Sequence, residues 1–251
     1  MFDATTILTV TGTFLIAGAV KGVIGLGLPT VSLALLMVAT DLPTAMALLL
    51  VPSFVTNLWQ AMVGGNGRVI LLRLWPFLLM VTVTVWIGAS ALTHVDLSLL
   101  SVLLGTLLVA YSGANLGGLK FTVPPRHEVW VGLLAGSANG ILTGMTGSFV
   151  MPGVMYLQAI GFSRDVLIQA MGMLFAVSTL ALAFALRGND LLTIEHGAYS
   201  ATAILPAIVG MVLGQRIRKS ISEQLFRKIF FVSLLALGAY IIYSAFGGFD
   251  L

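Results

Sequence analysis

A single lysine lies deep within a long apolar segment near the start of the chain. Lys21 is the only one of the twelve Lys and Arg residues in such a position, and helical spacing places it on the same face as Gly18, Gly22 and Gly25. A charge inside a bilayer costs several kcal/mol, so a lysine there either has a function or reaches an interface. We expect Lys21 to point into the protein, where it could bind an anion; the alternative is a lysine that extends to the membrane surface.

The sequence around Lys21 has a similar counterpart in the second half of the chain. The run 18–22 (GAVKG) resembles the run 136–140 (GSANG), and Lys21 and Asn139 lie 118 positions apart. We interpret this as an internal duplication, with coincidence among glycine-rich apolar sequences as the alternative. Asn139 offers hydrogen bonds without a charge. For the glycines that bound the two runs, close packing between helices is the favoured interpretation.

Both copies carry a cluster of helix-breaking residues. Gly25 and Gly27 precede Pro29 in the first copy, and Gly147 precedes Ser148 in the second. Backbone freed by a break is tolerated in a membrane only inside the protein or beside water. A short helix that restarts at each break would direct its N–H groups and positive dipole end inward, which attracts an anion. Pro29 suits an early position of the first such helix, and Ser148 could cap the second.

Buried amides and hydroxyls complete the candidate site. Asn57 and Gln169 lie within apolar runs, where an unpaired amide is more costly than a hydroxyl. Thr143 and Thr146 belong to the second glycine cluster itself. Hydrogen bonding between helices is the alternative for each of these side chains. The residues expected to bind substrate are Lys21, Gly25, Gly27, Pro29, Asn57, Asn139, Thr143, Gly144, Thr146, Gly147, Ser148 and Gln169.

The composition is that of a protein whose main solvent is the bilayer. Of the 251 residues, 59% are hydrophobic and 8% are charged, and the mean hydropathy is +1.07. We expect an all-α polytopic membrane protein with about eight hydrophobic segments in two inverted repeats, 1–120 and 129–251, joined by a loop at 121–128. Segments one and five are expected to be broken or re-entrant. The segments lie at roughly 5–39, 43–63, 74–92, 97–117, 129–160, 166–186, 197–214 and 229–246.

Several kinds of chemistry are excluded. The chain has no cysteine, so it has no disulfide, thiolate metal site or cysteine nucleophile. It has no room for a soluble domain, and nucleic-acid binding is not expected. A nucleophile at Ser148 lacks a base, because His94, His127 and His196 lie in or beside connections and no Asp or Glu lies deep in a segment. We expect no enzyme, no metal and no cofactor.

The distribution of basic residues among the connections distinguishes two possible topologies. Eight full crossings with the N-terminus outside put six basic connection residues inside and five outside. If segments one and five are re-entrant hairpins, ten lie inside and only Arg187 lies outside, as the positive-inside rule requires. We therefore predict six full crossings and two opposed hairpins, with both termini outside.

The duplicated pattern resembles a known family of membrane permeases. The motif Gly18-xxx-Gly22-xx-Gly25-x-Gly27, its second copy at 136–147 and the step Leu42-Pro43-Thr44-Ala45 are similar to those of the sulfite exporter TauE/SafE family. The resemblance implies a bacterial inner-membrane carrier of small sulfur-containing anions, such as sulfite or organosulfonates, that often works as an exporter. A passive anion channel and an uptake permease for another small organic anion are the alternatives. Lipid is the other expected partner, and the oligomeric state is open, with a homodimer as one alternative.

Overall fold

The protein is described here by a computed structural model, which covers residues 4–119, 121–218, 220 and 222–248. Lys120 and Lys219, two of the ten basic residues that the re-entrant topology puts inside, lie outside the described residues. Both chain ends lie outside them as well. Within the described part the chain forms eleven α-helices. They are α1 (Ala4–Ile24), α2 (Leu28–Leu36), α3 (Leu42–Met62), α4 (Gly67–Ser90), α5 (Leu97–Leu116), α6 (Glu128–Thr146), α7 (Gly153–Ala159), α8 (Arg164–Gly188), α9 (Ile194–Thr202), α10 (Ile204–Ile217) and α11 (Glu223–Tyr243).

Eight helical stretches among the described residues are long and apolar enough to cross a membrane. They coincide with the eight predicted hydrophobic segments, and α9 and α10 together form one of them. The helices α4 and α11 begin several residues before the apolar segments predicted for them, because Arg68 and Arg73 occupy the first turns of α4 and Arg227 and Lys228 those of α11. The all-α membrane fold is confirmed.

Segments one and five are broken, as predicted. Helix α1 ends at Ile24 and α2 begins at Leu28, while α6 ends at Thr146 and α7 begins at Gly153. The helix α1 has 21 residues, which is about 31 Å at 1.5 Å per residue, close to the thickness of a hydrocarbon core. Length alone therefore permits a full crossing, and the re-entrant arrangement of both segments stays a prediction.

The described chain divides into two compact units, and each combines helices from both predicted repeats. The first unit contains α1, α2, α3 as far as Pro52, α5, α9, α10 and α11. In it α1 packs closely against α10. A side chain at Gly18 would overlap the carbonyl of Ala207, and one at Gly22 would overlap the carbonyl of Met211. These glycines allow the two helix backbones to touch.

The second unit contains α4, α6, α7, α8 and the part of α3 that begins at Ser53. Its central pair is α4 with α6, where Gly136 faces the carbonyl of Phe77 and Gly140 faces that of Val81. A Cβ at either glycine would overlap the partner backbone. The packing interpretation of the glycines that bound runs 18–22 and 136–140 is therefore confirmed in both units.

Candidate functional site: two broken helices

The first break, residues 25–27, lies directly after the buried lysine. Lys21 occupies the last turn of α1, its side chain is 5% exposed, and its carbonyl accepts a hydrogen bond from the N–H of Gly25 at 2.8 Å. The prediction that Lys21 turns away from the membrane surface is consistent with this burial.

Gly27 makes the turn from α1 into α2 possible. Its φ of 105° lies in the left-handed region, which glycine adopts without a steric penalty. A Cβ there would also lie 3.2 Å from Val20 and 3.4 Å from the ring of Phe230. The conformation favours glycine strongly at this position, and the packing leaves little room for a side chain.

Within the described chain, the N-cap position of α2 provides no side-chain cap. Gly27 is its N-cap residue, and Pro29 lies in its first turn, as the sequence predicts, where the missing N–H of proline costs nothing. The first N–H groups of a helix carry its positive dipole end. The first break therefore combines a buried lysine with an uncapped helix N-terminus in the first unit.

The second break, residues 147–152, is held by hydrogen bonds from α6. The Oδ1 atom of Asn139 accepts from the N–H of Gly153 at 2.9 Å, and Thr143 Oγ1 donates to the carbonyl of Ser148 at 3.0 Å. Thr146 Oγ1 donates to Leu142 O at 2.7 Å. The first two contacts fasten the irregular segment and the start of α7 to the face of α6 that carries Asn139 and Thr143, whereas the third lies within α6.

Two polar groups at the second break have no hydrogen-bond partner among the described residues. They are the Nδ2 atom of Asn139 and the Oγ atom of Ser148. Their side chains are 0% and 1% exposed. Buried polar groups are nearly always paired, so both atoms are candidates for contact with a bound molecule.

The two glycines of the second cluster have separate structural tasks. Gly144 lies against α4, where a Cβ would overlap the carbonyl of Val85. Gly147 ends α6 with a φ of 72°. Gly144 thus belongs to the α4–α6 packing, whereas Gly147 creates the break.

The amide of Gln169 joins helices of the second unit. Its Nε2 donates to Ala61 O at 2.8 Å, and its Oε1 accepts from the N–H of Asn66 at 3.0 Å. Gln60 Nε2 reciprocates by donating to Ile168 O at 2.7 Å. This geometry matches the alternative stated for Gln169, a hydrogen bond between helices. Asn57, in the same part of α3, is 0% exposed.

Nine of the twelve predicted residues fall into two groups, whereas Gly144 lies against α4 and Asn57 and Gln169 lie in α3 and α8, away from the breaks in the chain. Lys21, Gly25, Gly27 and Pro29 come together at the first break, in the first unit, and Asn139, Thr143, Thr146, Gly147 and Ser148 come together at the second break, in the second unit. Sequence reasoning missed Thr30, whose buried hydroxyl lies in the first turn of α2. The signal was present, because Thr30 and Ser148 lie 118 positions apart, like Lys21 and Asn139.

Comparison with known proteins identifies the family. A family model described as Sulfite exporter TauE/SafE matches residues 10–241, a range that includes both breaks and every candidate site residue. No curated protein and no solved structure matches the chain. The eight apolar helices and this match make the chain an integral membrane protein. The chain belongs to the sulfite exporter TauE/SafE family of membrane transporters.

Proposed function

We propose that the protein is a secondary transporter of small sulfur-containing anions, such as sulfite or organosulfonates, and that it works as an exporter in the bacterial inner membrane. The family match supports transport of sulfur anions. The proposed mechanism is alternating access between two inverted repeats, a plan that recurs among secondary transporters.

The buried Lys21 carries the anion-binding part of the proposal. Lys21 is the only Asp, Glu, Lys or Arg residue between positions 4 and 40, and 5% of it is exposed. Placing an ammonium at such a depth costs several kcal/mol. An anion that binds beside it recovers part of this cost, because opposite charges attract more strongly in a medium of low dielectric constant.

The N-terminus of α2 adds a second source of positive potential. It follows Lys21 by seven positions and has no side-chain cap at Gly27. Helix N-termini bind anions through backbone N–H groups and the helix dipole. Glycine at 25 places no side chain between a ligand and the backbone. A negative group bound at the first break would interact with both the lysine and the helix end.

The second break offers hydrogen bonds without charge to the same class of anion. The Nδ2 atom of Asn139 can donate, and the Oγ atom of Ser148 can donate or accept. Neither atom has a partner among the described residues. We include Thr143, Thr146, Gly144, Gly147, Asn57 and Gln169 in this proposal as residues that contact the ligand or hold those that do.

A counterflow experiment tests the proposed function. Purified protein is reconstituted into liposomes loaded with sulfite, sulfoacetate, taurine or thiosulfate, and uptake of the same labelled compound is followed against protein-free liposomes. A carrier gives saturable uptake that is accelerated by substrate on the opposite side. Flux without counterflow would identify a channel, and no flux of any of the four compounds would refute the proposal.

A further inference from the structure

Thr30 carries a buried hydroxyl that the helix does not use. It is the third residue of α2, it is 2% exposed, and its Oγ1 has no hydrogen-bond partner among the residues that the structure describes. Ser32, one residue further on, behaves in the usual way for a helical serine. Its Oγ donates to Leu28 O at 2.7 Å and to Pro29 O at 3.2 Å.

The position of Thr30 explains why its hydroxyl is left over. Serine and threonine inside a helix normally donate to the carbonyl three or four residues earlier. For Thr30 those carbonyls belong to Leu26 and Gly27, in the break itself, where Gly27 has a φ of 105° and the backbone is not helical. The break removes the acceptor that a regular helix would provide.

The side chain of Thr30 leaves the backbone in the direction of the helix N-terminus. Every Cα–Cβ bond of an α-helix tilts toward the N-terminus, so the side chain of Thr30 leans toward the uncapped N-terminus at Gly27. Leaving a buried hydroxyl without a partner costs free energy. The N-terminus and the unpaired hydroxyl are two separate observations that favour a bound group at the first break.

The second break repeats the feature. Ser148 occupies the position 118 residues after Thr30, it is 1% exposed, and its Oγ also has no partner within the described chain. The first copy has the charged Lys21 where the second copy has the neutral Asn139. By contrast, both copies carry a hydroxyl side chain at the position of Thr30 and Ser148. The unused hydroxyl is therefore a property of each break in its own unit.

We propose that the hydroxyl of Thr30 determines specificity by donating a hydrogen bond to an ionised oxygen of the substrate. The inference rests on the proposed function, because it concerns the same anion. An ammonium and a helix dipole attract any small anion, but a hydroxyl donates along a defined direction to an acceptor atom. Thr30 thus favours anions with oxygen acceptors, such as sulfite and sulfonates, over chloride.

The decisive variant is Thr30→Val, which removes the hydroxyl at nearly constant volume. A hydrogen bond to a charged acceptor is strong, so the KM for sulfite in counterflow is expected to rise roughly ten- to hundredfold. Inhibition by chloride is expected to stay as in the wild type. Thr30→Ser keeps the hydroxyl and is expected to keep the KM within about threefold.

The matched control is Ser32→Ala, which removes a buried hydroxyl of the same helix whose only partners among the described residues are backbone carbonyls of α2. Its KM is expected to equal that of the wild type. Thermal unfolding without substrate separates folding from binding, because Thr30→Val removes no hydrogen bond of the described chain and is expected to unfold at or above the wild-type temperature. If valine prevents folding, Thr30→Ala gives the same comparison.

Two outcomes would overturn the inference, and they are distinguishable. If the wild type shows sulfite counterflow and Thr30→Val has an unchanged KM, the hydroxyl does not contact substrate and the proposed function still stands. If the wild type shows no counterflow with any sulfur anion, the proposed function fails and the inference fails with it.

Discussion

The hydroxyl of Ser200 donates to the carbonyl of Leu48, which lacks its usual backbone N–H donor. Pro52 lies inside α3 and has no N–H for the carbonyl of Leu48, four residues earlier. The Oγ atom of Ser200 donates to that carbonyl at 2.7 Å and accepts from the N–H of Val51 at 3.0 Å. A side chain of α9 thus completes the hydrogen bonds of α3 at its proline.

Replacing Ser200 by alanine is expected to lower the free energy of unfolding by about 1–3 kcal/mol, because it leaves buried backbone groups without partners. In a Pro52→Ala background the new N–H can reach Leu48 O, so the same change should cost less. Thermal and denaturant unfolding in detergent measure both costs. Equal costs in the two backgrounds would show that Ser200 does not compensate for Pro52.

The close approach of α1 and α10 makes a second prediction. Gly22→Ala is expected to cost several kcal/mol or to prevent folding, because the new methyl group would overlap the backbone carbonyl of Met211. Gly12→Ala in the same helix is the control, since a methyl group there would lie within 4 Å of no described atom beyond its own stretch of helix backbone, and it should be neutral or slightly stabilising. Expression and detergent stability of both variants provide the measurement. Similar losses for the two would contradict the packing described for Gly22.

Arg73 joins three parts of the second unit. Its Nε lies 2.6 Å from Glu128 Oε1 and its Nη2 lies 2.8 Å from Glu128 Oε2. Nη2 also donates to Ile160 O at 3.1 Å, and the guanidinium lies 4.7 Å from the ring centre of Phe162. Arg73 therefore connects α4, the start of α6 and the turn between α7 and α8.

Arg73→Lys keeps the charge but loses the two-pronged contact with Glu128. We expect a loss of about 1 kcal/mol, reduced from the value of a buried pair because the arginine side chain is partly exposed. Arg68→Lys is the control, since Arg68 is exposed in the same helix. Unfolding midpoints of the two variants in detergent test this. A larger effect at Arg68 than at Arg73 would contradict it.

The breaks were predictable because their signal is local. Gly25, Gly27 and Gly147 have positive φ, a conformation for which glycine is the common residue. The role of Gln169 was not predictable, because its partners Ala61 and Asn66 come from distant positions in the chain. The 118-residue spacing that Thr30 shares with Ser148 was visible in the sequence, but the lack of a hydrogen-bond partner among the described residues depends on the backbone geometry of the break. The assembly of each unit from both predicted repeats is likewise a tertiary property that hydropathy does not predict.

Two single-cysteine variants test the membrane topology. Their labelling is specific, because the chain otherwise contains no cysteine. The re-entrant arrangement puts residues 121 and 194 on opposite sides of the membrane, whereas eight full crossings put them on the same side. Phe121→Cys and Ile194→Cys place the label at exposed positions, 57% and 85% respectively. An impermeant maleimide on intact cells should label position 194 and leave 121 protected until the cells are opened. Labelling of both positions in intact cells would refute the hairpins.

The strongest test of anion binding at the first break is the affinity of purified protein for sulfite when Lys21 is changed. Thermal stabilisation is titrated with sulfite for the wild type, Lys21→Gln and Lys21→Arg. Lys228→Gln is the matched control, because Lys228 is exposed at the start of α11. We expect Lys21→Gln to fold and to lose roughly tenfold or more in affinity, Lys21→Arg to keep part of it, and Lys228→Gln to bind as the wild type does. A folded Lys21→Gln protein with wild-type affinity for sulfite would contradict the proposed anion site.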